Sequence, residues 1–396
     1  MIVAAINVNK PIAGRPLTKA QIYENARAIV PFLREHSATI ESGRRLPPSV
    51  VKKMRDAGFF RLNMPAIWGG PELTSMEQCE VIEEISVGDA SAGWCTMIGC
   101  DSGIYSGYFE DSIARELYPK LDTIQAGFVK PIGIAERVKG GFRVSGHWPF
   151  GSGSTHCDLL AAGCTVFKNG KPVLASDGLP EEIMIVAKPD DYTILDTWHT
   201  TGLRGTASND YICSKLFVPE HQTFNFWKPY RQGTIWRRPD ALLRKMSGIP
   251  LGIARDAINT VTEMAKRIKD GPARIHEERR TWTTLAMAER TYGAARAYLH
   301  ESLEALWSRL SAHEEPTVKE RAHVVLSRIE AFQGSRRIVQ QLYDLAGGNA
   351  IYSRKTTLDR NLRDIQTACQ HFVGMEREFS RVGELLAGIG KDSPFL

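Results

Sequence analysis

The hydrophobic period of this 396-residue chain changes twice, and those changes restrict it to a helical part, a β part and a second helical part in that order. Thr18 and Gln21 have capping-box spacing, and Ile22, Ala26, Ile29, Val30 and Leu33 then recur on one helical face. Pro47 and Pro48 open a second helix through Val50, Val51 and Met54, with Gly58 as its stop. A third helix is expected from Ser75 to Val87, and the small-residue segment SAGWCTMIGC reads as a tightly packed fourth. Between Gln125 and Glu220 the period falls to two. Phe142, Val144 and Gly146 alternate after the turn pair Gly140 and Gly141, and IMIVA and YICSKLFVP read as further strands. Beyond Pro239 the helical period returns with Ala254, Ile258, Val261, Ala265 and Ile268 and continues through three more long helices.

The expected class is therefore mainly α with a central β domain, divided as 1–122, 123–232 and 233–396. With 50 basic and 45 acidic side chains intermixed, the net charge of +5 forms no block suited to nucleic acid or a membrane surface. An anionic small molecule is a better match. Seven cysteines, an odd number without a CxxC pair, fit reduced thiols in a cytoplasmic protein. The beginning MIVAAINVNKPIAGRP has no leader pattern, and no stretch reaches the ~20 apolar residues of a membrane span.

Motifs for self-contained chemistry are missing. No GxGxxG opens a βαβ unit, and there is no GxxxxGK[ST], HExxH or GxSxG. Hard chemistry in such a chain comes from an organic cofactor. Three segments look built to hold one. GGFRVSGHWPFGSGSTHCD carries Trp148, Phe150 and Ser152 among glycines; DTWHTTGLRGTASND carries Trp198, Thr206 and Ser208; and QLYDLAGGNA breaks a helix at Gly347 and Gly348 ahead of His371. Aromatic walls can stack on a planar ring, and glycines let backbone amides and small hydroxyls approach its polar edge.

WxFxSG at Trp148 to Gly153, GLRGTxS at Gly202 to Ser208, and AGG followed by RxLRD and histidine at Ala346 to His371 resemble the acyl-CoA dehydrogenase superfamily. The wording is similar to its flavin-dependent monooxygenase branch, two-component hydroxylases of phenols, indoles, thiophenes and amino sugars. WGG at Trp68 to Gly70 and GW at Gly93 and Trp94 extend the resemblance over nearly the whole chain. It implies a helical domain, a middle β-barrel-like domain and a C-terminal four-helix bundle assembled as a homotetramer. It also implies reduced FAD or FMN delivered by a separate NAD(P)H-dependent flavin reductase, reacting with molecular oxygen to a C4a-hydroperoxide. By the same resemblance Ser152 lies near flavin N5, Trp148 and Trp198 wall the ring, Thr206 and Ser208 contact it, and His371 faces its reactive edge. Gly347 and Gly348 belong to the flavin-binding segment, and Arg274 is placed to meet a flavin phosphate.

Two enzyme classes share this scaffold. A dehydrogenase needs a carboxylate base, yet the family's two positions for it fall here near Cys369 to His371 and near Leu242, none of them acidic. An inactive binding homologue is the non-enzymatic alternative. Phenol hydroxylases of this branch have a histidine shortly after GW and a serine at the end of the next strand; here Asp101 and Gly127 occupy those places. That departure points away from phenols. Asp101 is then an acceptor for a substrate N–H, as in an indole.

Overall fold

The computed structural model describes residues 12–266, 279–390 and 395. Its first helices are α1 Lys19–Ala28, α2 Val30–Gly43, α3 Pro48–Asp56, α4 Ser75–Gly88, α5 Ala90–Gly99, α6 Ser102–Ser106 and α7 Asp111–Leu117. Thr18 and Gln21 form the expected capping box. The apolar face from Ile22 to Leu33 is shared by α1 and α2, because Pro31 near the start of α2 removes an amide donor and separates them. α5 is buried on nearly every side, as its small residues allow. A Cβ on Gly93 would stand 2.0 Å from the Ser86 hydroxyl, so α4 and α5 approach at a distance only glycine permits.

Strands follow as β1 Gln125–Val138, β2 Gly141–Gly151, β3 Leu159–Lys168, β4 Lys171–Pro172, β5 Glu182–Ala187, β6 Thr193–Ile194, β7 Asn209–Pro219 and β8 Thr223–Phe224. They form one sheet in the order β6, β7, β2, β1, β3, β5, β8, with β4 on β3. β1 and β3 run parallel, whereas the other pairs are antiparallel. The hydrogen-bonded path runs from β6 to β8 and is the sheet of the expected middle domain.

The chain then returns to helix: α8 Ala241–Arg244, α9 Gly248–Lys266, α10 Arg279–Ser311, α11 Val318–Ala346, α12 Leu358–Ala368 and α13 Glu378–Leu386. α11 packs on α9, α10, α12 and α13, which makes a bundle of three long helices and the shorter α12. One apolar core joins the two helical parts: Phe60, Val81, Ile82, Ile253, Ile258 and Phe332 belong to a single cluster. The sheet keeps its own core around Trp148, Val144, Leu160 and Tyr211. Two cores meeting along a seam leave loops at the seam free to line a site.

Candidate active site

The end of β2 and the start of β7 create the centre of that seam. Pairing between these strands slips between Trp148 and Gly151, a bulge in which Phe150 takes a left-handed backbone with φ 61°. Trp148 stays on the inner face with no solvent exposure, its indole N–H donating to the Gly163 carbonyl at 2.8 Å and its ring stacked on Tyr211. Trp148 therefore belongs to the sheet core, contrary to its expected place in a flavin wall. The bulge turns Phe150 outward instead, 58% exposed, with Trp198 edge-on at 6.3 Å and Phe128 at 6.2 Å. The ring two positions later is the exposed one.

Beside this platform four polar side chains form a directed chain. The Trp94 indole N–H donates to Ser152 Oγ at 3.0 Å; Ser152 and Ser208 hydroxyls lie 2.6 Å apart, and Ser208 and Thr206 2.7 Å apart. Thr206 donates to the Leu203 carbonyl at 2.8 Å. Each hydroxyl owns one proton, so this end point fixes the rest. Thr206 must accept from Ser208, and Ser208 must accept from Ser152. The Ser152 proton is committed inward, and its remaining capacity is to accept a hydrogen bond.

The loop bearing Thr206 and Ser208 is clamped from both sides. Leu203 and Ala207 both have left-handed backbones, strain that surrounding contacts must hold. Asp364 of α12 accepts the Leu203 amide at 2.6 Å, and Arg363 donates to the Thr201 carbonyl at 2.9 Å. Gly202 rests on α12 so closely that a Cβ would lie 2.1 Å from the Arg363 carbonyl. Trp198 is held by its indole N–H to Leu203 and by its amide to the Asn209 side chain. The RxLRD motif thus positions a loop.

His371 lies against the Trp94 ring with centroids 5.8 Å apart. Burial, reinforced by the positive charges of Arg328 and Lys130, pushes its pKa down to about 4. It is neutral at neutral pH. Asp101, at the N-cap of α6, accepts from the wholly buried Lys245 ammonium at 2.5 Å through Oδ1. Its Oδ2 has no hydrogen-bond partner among the described residues. Burial raises the Asp101 pKa to about 6 although Lys245 opposes it. Gly127 has φ 151°, and a Cβ there would stand 2.4 Å from the Ala161 carbonyl, so this backbone excludes a serine.

The other expected residues fall elsewhere. Gly347 ends α11 with φ 54°, and it and Gly348 are exposed, with open space where a Cβ would be. Neither takes part in the hydroxyl chain. Arg274 lies outside the described residues. A cleft of about 340 Å³ between α3 and the loop after Gly153 is lined by Arg45, Val51, Arg55 and His156, and neither Ser152, Ser208 nor His371 borders it. Reading the sequence missed the exposure of Phe150, the bond of Trp94 to Ser152 and the pairing of Lys245 with Asp101. The GW pair flagged Trp94, but nothing local distinguishes Lys245 from an ordinary basic residue at a helix end.

This scaffold, with an exposed aromatic platform beside an acceptor hydroxyl, is that of a flavoprotein with the acyl-CoA dehydrogenase fold. Residues 19–110 match the acyl-CoA dehydrogenase N-terminal domain family, and residues 246–375 match the C-terminal domain family. The chain is 30% identical over 351 residues to an indole-3-acetate monooxygenase of Pseudomonas putida, covering 87% of this chain and 88% of that one. A 3-HSA hydroxylase from Rhodococcus sp. RHA1 shares the fold with a TM-score of 0.87, at 24% identity over 95% of this chain and 99% of that one. XiaF from Streptomyces sp., solved with FADH2 and glycerol, superposes with a TM-score of 0.85 at 22% identity, covering 96% and 97%. The chain belongs to the flavin-dependent monooxygenase branch of the acyl-CoA dehydrogenase superfamily.

Proposed function

We propose that this protein is the oxygenase component of a two-component system, hydroxylating an electron-rich, nitrogen-containing aromatic molecule of the indole type. It takes reduced FAD or FMN from a separate NAD(P)H-dependent flavin reductase, and oxygen from solution. The direction of the hydroxyl chain carries this reading. Reduced flavin presents an N5–H donor, and Ser152 has only an acceptor to offer it. Phe150 and Trp198 fit the flat apolar ring.

When bound, the flavin supplies an electrophilic oxygen atom; the protein supplies place, protons and dryness. Ser152 keeps the N5 proton in position, which opposes loss of reducing power as hydrogen peroxide. His371, neutral and desolvated, is available to orient the oxygen that is transferred. The free Asp101 oxygen accepts an N–H from the substrate, and the indole name of a relative at 30% identity agrees with that chemistry. Dehydrogenation is not favoured at the family's positions for its base: Leu242 is a buried apolar side chain, and Cys369 to His371 carry no carboxylate.

Assembly as a homotetramer is part of the same reading. α10 exposes Trp282 and Met287, and the segment after α11 exposes Ile351 and Tyr352, apolar surface that neighbouring copies would cover. The deciding experiment supplies reduced flavin, oxygen and either indole or 4-hydroxyphenylacetate, with an unrelated reductase and then with NADH alone. Oxygenated indole, formed only with the reductase, is expected. Turnover of the phenol alone, or rapid NADH oxidation without a reductase, contradicts the reading.

A further inference from the structure

Two hydroxyls can share a proton in either direction, so a row of them takes its sense only from an end group that cannot donate. Here that group is the Leu203 carbonyl. It is fixed from several sides: the Leu203 amide donates to Asp364 at 2.6 Å, and the carbonyl also accepts the Trp198 indole N–H at 2.9 Å. Thr206 is wholly buried, and its single hydroxyl proton goes to that carbonyl at 2.8 Å. The Thr206 carbonyl accepts the Gly153 amide at 2.8 Å, which locks this turn against the loop bearing Ser152. The Thr206 hydroxyl reaches Ser152 through Ser208, across contacts of 2.7 and 2.6 Å. It therefore stands two hydrogen bonds behind the group that would meet the flavin ring.

We propose that Thr206 is the positioning residue that sets the redox selectivity of the flavin site. The inference rests on the oxygenase reading, which puts flavin N5 at Ser152. N5 carries a proton in reduced flavin and a lone pair in oxidised flavin. With Thr206 holding the sense of the row, Ser152 Oγ turns a lone pair toward N5, which accepts from the reduced form and repels the oxidised one. To donate to oxidised flavin the three hydroxyls must reverse together and break the Thr206 bond to the Leu203 carbonyl. Without the Thr206 hydroxyl no such bond opposes reversal: Ser208 donates to Ser152, and Ser152 donates to N5. In the intact protein spent flavin is thus disfavoured where it forms, which frees the site for the next reduced molecule from the reductase.

The test is a pair of equilibrium titrations without substrate or turnover, run with FAD and again with FMN. Oxidised flavin is followed by its fluorescence, and reduced flavin by absorbance under anaerobic conditions. Thr206→Val keeps the shape of the side chain and deletes its hydroxyl. The preference for reduced over oxidised flavin should fall about fivefold, the worth of one neutral hydrogen bond, through tighter binding of the oxidised form. By the thermodynamic cycle the midpoint potential of bound flavin should drop by about 20 mV. Thr206→Ser should keep the preference. Ser208→Ala cuts the row and frees the Ser152 proton, so it should lower the preference too, and it decides the matter if Thr206→Val is unstable. Trp94→Phe removes a donor to Ser152 without touching the end of the row, and should change both affinities by the same factor. Equal affinities in wild type, an unchanged ratio in folded Thr206→Val or in Ser208→Ala, or an equal fall in Trp94→Phe overturns the proposal and leaves the oxygenase reading standing. A protein that binds neither form of flavin would sink that reading and this inference with it.

Discussion

Asp364 on α12 accepts the backbone amide of Leu203 at 2.6 Å, joining two segments 161 positions apart. Through that bond the bundle dictates the path of the loop that carries Thr206 and Ser208. Burial raises the Asp364 pKa to about 7, against the opposing charge of Arg360. A carboxyl with a raised folded pKa stabilises while protonated, and its contribution declines as pH climbs through that value. Asp364→Asn keeps an acceptor and cannot ionise, so its melting temperature should gain on the wild type between pH 5 and pH 8. Asp364→Ala strands the Leu203 amide and should cost about 1–3 kcal/mol in denaturant titration, with weaker flavin binding. A pH-independent difference for the asparagine variant would contradict the assignment.

Ser152→Ala should still fold, at a cost of about 1–3 kcal/mol for the stranded Trp94 indole N–H, and damage coupling. The substitution removes an acceptor for flavin and the donor to Ser208 while altering little volume. Hydrogen peroxide per reduced flavin should rise several-fold and hydroxylated product should fall by the same count. Peroxide assay beside product chromatography measures both, and an unchanged ratio excludes Ser152 from oxygen chemistry.

Asp101 and Lys245 should behave as a unit. Asp101→Asn leaves a buried ammonium without its counter-charge, a loss of about 3–5 kcal/mol in unfolding free energy. Combined with Lys245→Met, most of that loss should be recovered. The double variant should still oxidise reduced flavin yet turn over indole more slowly, because a neutral amide oxygen replaces the charged N–H acceptor.

Substrate recognition should be pH-dependent. An acceptor role requires ionised Asp101, and burial places its pKa at about 6. In wild type kcat/KM for an N–H substrate should rise with an apparent pKa near that value and level off above it. His371 is already neutral across that range. Stability moves in its own way at the acid end. His371 and His156 both have folded pKa values lowered to about 4 by burial, so their contribution is complete above the unfolded value of about 6.5 and is lost as pH falls toward 4. Asp364 and Asp101 act in the opposite sense over the same range, so the check is His371→Phe, whose stability relative to wild type should rise as pH falls from about 6.5 to about 4; a pH-independent difference would contradict this.

The layered order of the fold was legible in the sequence because side-chain period is a local property: the alternation through Phe142 and Val144 gives β2, and the capping box at Thr18 gives α1. Pro31 was equally visible and would have separated α1 from α2. The exchange of Trp148 for Phe150 was not legible. Alternation assigns both to one face, and only the slipped pairing with β7 turns Phe150 outward. Ser152, Thr206 and Ser208 were recognised as small hydroxyls in glycine-rich loops, while their common direction depends on the Leu203 carbonyl that ends the chain. Lys245 and Arg328 look like ordinary helical cations until the tertiary fold buries them. Charge balance in a core cannot be read from neighbours in sequence.

The pairing of Asp101 with Lys245 also bears on how such a protein can change over generations. The residue that would distinguish an indole from a phenol is anchored to a cation contributed by another part of the chain. Replacing either one alone passes through a form with a stranded charge and impaired folding. A shift of substrate at this point therefore requires two coordinated replacements, or prior stabilisation elsewhere, and descendants that keep one member should keep the other.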